Sequence, residues 1–324
     1  MFADKRCKED NMQNILFSLQ AVFPLFVMVA IGYFLRVKGM VNADFVTTAN
    51  RVVFRMAMPI YLFYNVSTSK FDLASDMKYV LVCLACVVGL VAVLFVFVPM
   101  LVKDARRRGV IIQALFRSNF LLLGLPLCEN MFGAEGRAMA ALLVAFVVAL
   151  FNVSAVITLT VFNGTGKVSV KGIIKGIALN PLIIGSVAGL LATTFGLNLP
   201  GFVNQALSDV AQITTPLALL ALGASFTFGQ SRKNAKEIAW VMLFRLLITP
   251  ATMAAIFILL GYRGVQLGTA VIIFASPIAV TSFVMAHEAG ADSELAGQLV
   301  VFSTALSSIS LFLVIYGMKS FGLI

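Results

Sequence analysis

Apolar residues run along the chain in long blocks separated by short polar gaps. A block of about 20 such residues spans the hydrocarbon core of a bilayer as an α-helix. Blocks of that kind fall at 13–35, 45–67, 78–102, 110–131, 136–162, 171–195, 201–227, 235–261, 264–288 and 294–320. The pattern predicts an all-α membrane protein with ten transmembrane helices. The longest gap holds around a dozen residues, too few for an inserted soluble domain. An even number of spans leaves both termini on one side. The apolar segment from Asn14 to Leu35 is long for a signal peptide and no small-residue cleavage site follows it, so it reads as a retained first span.

Landmarks recur at one offset. Pro24-Leu25 with Gly32 returns as Pro181-Leu182 with Gly189, and Pro59 as Pro216, both 157 residues later. Phe116-Arg117-Ser118 returns as Phe274-Ala275-Ser276 at 158, and Gly133 as Gly290 at 157. Two five-span repeats are therefore expected, residues 1–162 and 163–324. Because five is odd, the second repeat enters the membrane from the opposite side. That is the inverted-topology architecture of many secondary transporters, whose site lies at the repeat interface near mid-membrane.

Two spans are interrupted. The stretch Phe116 to Gly133 carries Arg117-Ser118-Asn119 and then Gly124-Leu125-Pro126 inside an apolar run. The ninth span carries Ser276-Pro277-Ile278-Ala279, then Phe283 to Glu288. Proline removes a donor and clashes with the carbonyl four residues earlier, so Pro277 opens a turn, and Asn119 with Gly124 permits the same in the fourth span. Lipid tolerates opened backbone only where protein buries it or water reaches it. If the two breaks cross, half-helix N-termini converge on one spot, each carrying about half a positive charge and free N–H groups, which suits a carboxylate.

Composition agrees with the membrane reading: 60% hydrophobic and 12% charged residues, with mean hydropathy +1.00. The net charge of +10 sits in short gaps, as in Lys103, Arg106, Arg107 and Arg108, rather than in a nucleic-acid stripe; no nucleic-acid partner is expected. Loops after odd spans hold twelve Lys and Arg, against eight on the other face. Positive loops stay cytoplasmic, so both termini are expected outside a multi-pass protein of the cell membrane. Cys83-Leu-Ala-Cys86 lies in an apolar span without a second pair or a nearby histidine and reads as two small core residues. One histidine makes no metal site, and no G-x-x-x-x-G-K run binds a nucleotide. No cofactor is expected. Gly223-Ala-Ser225-Phe lacks the final glycine of a serine-nucleophile loop, so an enzyme is not expected.

Ionisable residues inside spans cost about 2.5–3.5 kcal/mol each at mid-bilayer and usually face protein or water. Arg117, beside the first break, could hold an anionic substrate bidentately or serve a structural acceptor. Arg245, deep in the eighth span, is read as charge-balancing. His287-Glu288, near the end of the ninth span, are candidates for proton coupling, with an idle solvated end as the alternative. Glu129 holds the matching place in the fourth span.

Asn119-Phe-Leu-Leu-Leu-Gly124-Leu-Pro126-Leu127 resembles the fourth-span motif of the auxin efflux carrier family, which includes bacterial transporters of small organic acids. Pro277-Ile-Ala-Val-Thr-Ser-Phe283-Val284-Met-Ala286-His-Glu288 is similar to its ninth-span motif. Phe151-Asn152, Asn180-Pro181 and Pro216 to Gly223 also fit. The resemblance implies an elevator-type carrier with spans 1, 2, 6 and 7 as scaffold and spans 3–5 and 8–10 as the moving unit. It implies substrate at crossed broken helices 4 and 9, met by Asn119, Asn152 and the backbone around Pro277; from their places at the breaks, Arg117, Ser118, Ser276 and Ile278 join the expected substrate contacts, with Gly124, Pro126 and Pro277 as hinges. A homodimer through the scaffold is implied by the same analogy. Ser118 stands where plant members have proline and Ile278 where they have a polar residue, so a pocket shaped differently from an auxin site is expected. The expected substrate is a small mono- or dicarboxylate such as malate or malonate. The alternatives are a sodium- or proton-coupled symporter of the bile-acid-transporter type, a membrane receptor and an intramembrane hydrolase. A cysteine introduced in the 163–170 loop should resist an impermeant thiol reagent applied outside intact cells; labelling there would reverse the orientation.

Overall fold

The computed structural model describes residues 23–24, 27–68, 73–162, 170–197, 199–226 and 232–324. The first half of the predicted first span, and the loop residues Lys70 and Lys167, lie outside them. Among the described residues every regular element is helical.

In chain order, α1 is Val27–Val37. Helix α2 joins Ala43–Val52 to Met58–Ser67 through a π turn, Val53–Ala57. Helix α3 is Leu73–Leu101 and α4 is Ala105–Phe116. Next, α5 covers 120–132 and α6 covers 134–161, separated at Gly133, whose φ of 64° no other residue type adopts readily. Gly290, its counterpart in the predicted second repeat, has φ 65°. Helices α7 (Val170–Ala178), α8 (Pro181–Thr194) and α9 (Gly201–Ser225) follow. Helix α10 is Ala235–Leu259 with a π turn at Phe244–Ile248. Helices α11 (Gly264–Ala275), α12 (Thr281–Glu288) and α13 (Ser293–Ser320) complete the chain.

Five described helical runs are long and apolar enough to cross a membrane: Met77–Leu101, Leu125–Val161, Gly201–Ser225, Ala235–Leu259 and Ser293–Ser320. The sixth apolar segment is two helices rather than one. Asn180 accepts hydrogen bonds from the N–H groups of Leu182 and Ile183 and so caps α8, while Pro181 cannot continue a preceding helix. The same chemistry starts three others: Asn42 caps α2, Asp104 caps α4 and Asp292 caps α13. Cys83, Cys86 and Cys128 are free thiols, with Cys83 and Cys128 buried.

Helix ends sort by loop. At one end Arg107 pairs with Asp292 at 3.1 Å and Glu237 at 3.3 Å and donates to Asn234, while Arg106 donates to the Gly290 carbonyl. This ties together the loops after the predicted third, seventh and ninth spans. At the other end the Tyr79 hydroxyl donates to the Gln266 carbonyl, and Gly264 N–H donates to Leu323.

Two close helix pairs rest on glycine. A Cβ at Gly32 of α1 would stand 2.2 Å from the Leu220 carbonyl oxygen of α9, and one at Gly185 of α8 would stand 2.4 Å from that of Pro59 in α2. Gly189 of α8 likewise meets Phe63 of α2. Gly32 and Gly189 are offset by 157 residues, as are Phe63 and Leu220, so the α1–α9 contact has its counterpart in α8–α2. Gly185→Ala should force α2 and α8 apart, costing about 1–3 kcal/mol by overpacking. Gly317→Ala, with nothing within 4 Å, should cost nothing. Melting of the two purified variants in detergent makes the comparison.

Candidate functional site: a crossover of two broken helices

Helix α4 stops at Phe116, and Arg117 turns extended with φ −85° and ψ 120°. The chain resumes after Asn119 with the π turn Phe120–Gly124. Pro126 lacks an N–H to give to Leu122, and a widened turn absorbs that loss. Gly124 is required there because a Cβ would meet the Phe120 ring at 2.1 Å. In the other broken span α11 stops at Ala275, and Ser276 is extended with φ −62° and ψ 147°, as a residue before proline prefers.

The two extended segments meet. Ser118 and Ile278 form an antiparallel bridging pair, with Asn119 N–H donating to the Pro277 carbonyl at 2.8 Å. Ile278 N–H donates to the Ser303 hydroxyl of α13 at 3.1 Å. The Ser276 hydroxyl returns to the Ile272 carbonyl, and the Ser276 carbonyl accepts from Arg245 at 2.6 Å. Arg245 also donates to the Leu115 carbonyl in the last turn of α4, at 3.1 Å.

Arg117 is 3% exposed. Its guanidinium donates to the Asn152 side-chain oxygen at 2.6 Å and to the Met285 sulfur. Asn152 in turn donates to Ser186 at 3.3 Å, which links α6 to α8. Among the described residues no carboxylate lies within 4.0 Å of either Arg117 or Arg245.

A cavity of about 50 Å³ opens beside the crossover, room for a few waters. Arg117, Ser118 and Asn119 line it on one side with Ala279, Val280 and Thr281. Met58 and Tyr61 of α2 and Thr215 and Ala218 of α9 line the other. The Ser118 hydroxyl and the Asn119 amide nitrogen are buried without a partner. Arg117, Asn119 and the first turns of α5 and α12 thus lie at the wall of one mostly apolar space. Donors and helix N-termini of this kind suit an anionic group.

The family model for membrane transport proteins matches residues 17–315. This chain is a transporter of that family, the family of the auxin efflux carriers. A transporter of Methanothermobacter thermautotrophicus is 27% identical over 308 residues, covering 91% of this chain and 96% of its own. A Rhizobium meliloti protein named for malonate transport is 28% identical over 137 residues, 42% of this chain and 43% of its own. Auxin efflux carrier component 6 of Arabidopsis thaliana is 26% identical over 127 residues, 39% of this chain and 22% of its own.

In this transporter the expected substrate contacts fall into two groups. Arg117, Ser118 and Asn119 reach the cavity. Asn152, Ser276, Pro277 and Ile278 stand behind its wall and hold the crossover or Arg117 in place. His287 and Glu288 lie in the last turn of α12, about 10 Å along the helix from Thr281, and His287 packs on Phe283. Glu129 pairs with Arg137 in solvent. The wall from α2 and α9 went unseen in the sequence, although its signal was there: Met58 and Thr215, and Tyr61 and Ala218, are offset by the same 157 residues. Asn152→Ala should strip a hydrogen bond from a buried guanidinium and destabilise the ligand-free protein by about 1.5–3 kcal/mol. Glu129→Gln, which breaks only an exposed pair, should leave melting unchanged.

Proposed function

We propose that this transporter moves a small organic anion, a mono- or dicarboxylate such as malate or malonate, across the cytoplasmic membrane by an elevator motion. The observation that carries the reading is Arg117: a buried guanidinium in a residue lining a cavity, with only Asn152 and Met285 as side-chain partners among the described residues. A substrate carboxylate supplies the missing counter-charge, with the Asn119 amide as second donor. The name of the Rhizobium meliloti relative favours the same substrate class.

The frame of this proposal is ten spans in two inverted repeats, 1–162 and 163–324. It draws support from the 157-residue offsets in helix contacts and in the cavity wall, and from the sorting of odd and even loops to opposite ends. Helices α1, α2, α8 and α9 form the scaffold, which pairs with a second copy, and α3–α6 with α10–α13 form the moving unit. Both termini face outward. Gly124, Pro126 and Pro277 loosen the backbone at the site. His287 and Glu288, in the last turn of α12, are the candidates for proton coupling, with an idle helix end as the alternative. Membrane potential drives anion efflux with about 2.3 kcal/mol per charge per 100 mV, so no coupling ion is required.

Malonate and malate should raise the melting temperature of the purified protein and enter proteoliposomes. Arg117→Gln should weaken binding about 10- to 150-fold, the loss of a charge-assisted contact, and Asn119→Ala should weaken it too. A stabilising acid that still acts on Asn119→Ala would displace the site. Uptake by Glu288→Gln with an unaltered pH profile would remove the coupling role.

A further inference from the structure

Arg245 is the largest fully buried side chain among the described residues, at 0% exposure, and it does not line the cavity. Nothing acidic neutralises it within 4.0 Å among the described residues, and its Nε is buried without a partner. A guanidinium kept in that state is costly. Its two bonds fall on two different broken spans: the Leu115 carbonyl at the end of α4 and the Ser276 carbonyl just past the end of α11. Both are C-terminal ends, where carbonyls are unpaired and the helix dipole is negative. One planar cation therefore joins the two ends whose continuations, Arg117–Asn119 and Pro277–Ile278, form the crossover.

The backbone beneath it is specialised. Arg245 sits in the π turn Phe244–Ile248, where Arg245 and Leu246 are buried while Leu247 and Ile248 are exposed. At the 157-residue offset the first half of the chain has Val88, which is 53% exposed. The arginine has no counterpart in the first half, and a single residue serves both breaks.

We propose that Arg245 is a positioning residue for the substrate site: it fixes the distance between the two breaks, and so the shape of the cavity, without touching substrate. Its effect on transport rests on the crossover being the site, but its effect on geometry does not. The fork of a guanidinium reaches both carbonyls at once, whereas a lysine ammonium is a point donor.

The geometric test needs no substrate. Cysteines placed at Ser118 and Ile278, with the four native cysteines changed to alanine, replace a bridging pair whose Cα atoms lie about 4.5–5.5 Å apart, within disulfide reach. With Arg245 present the pair should oxidise readily. Arg245→Gln should slow cross-linking by about tenfold or more, the loss of one orienting contact, and Arg245→Lys should fall between. Wild-type cross-linking rates in both variants, or a parent pair that never cross-links, would overturn the proposal. If Arg245→Gln does not fold, the Arg245→Lys rate decides alone. In proteoliposomes, with malonate as probe, Arg245→Gln should raise KM more than it lowers the maximal rate. A lower maximal rate at unchanged KM would mark a merely structural residue. If wild-type protein ignores malonate, the substrate reading fails while the cross-linking result still stands.

Discussion

Hydrocarbon offers no hydrogen bonds, so every backbone group released by a broken helix must find its partner inside the protein. Two breaks at one depth meet that demand with few parts. Asn119 N–H takes the Pro277 carbonyl, Ile278 N–H takes the Ser303 hydroxyl, and Arg245 takes the carbonyls of Leu115 and Ser276. Each break thus supplies acceptors or donors that the other, or a neighbouring helix, lacks. Among the described residues the side-chain hydroxyl of Ser118 and amide nitrogen of Asn119 stay unpaired, in residues that line the cavity.

The breaks were readable because they follow from local chemistry. Pro277 forces Ser276 into extended backbone, and Pro126 with Gly124 widens the first turn of α5. Apolar run length likewise gave the helical class and most helix positions. It failed at the sixth segment, where Asn180-Pro181 writes a helix start inside a run of unbroken hydropathy. A capping residue and a proline outweigh hydrophobicity there, since run length measures burial and says nothing of hydrogen bonding.

Side-chain partnerships were less legible because they join residues far apart in sequence. Nothing near Arg117 announces Met285, and nothing near Arg245 announces Leu115. Asn152 was singled out as a substrate contact through a resemblance, yet in this structure its oxygen is taken by Arg117. The α2 and α9 wall was missed although it repeats at a fixed offset, since Met58, Tyr61, Thr215 and Ala218 differ in kind within each matched pair. Offset carried the information there and residue identity did not.

The unmatched charge of Arg117 has an electrical side. On the proposed reading, an empty cavity holds a fixed positive charge within the dielectric barrier, and a substrate carboxylate cancels it. Transmembrane voltage acts on charge, so it pulls differently on the empty and the occupied protein. The resting voltage of the membrane thereby becomes a term in how long the cavity stays vacant, set by an arginine that was left without an acid.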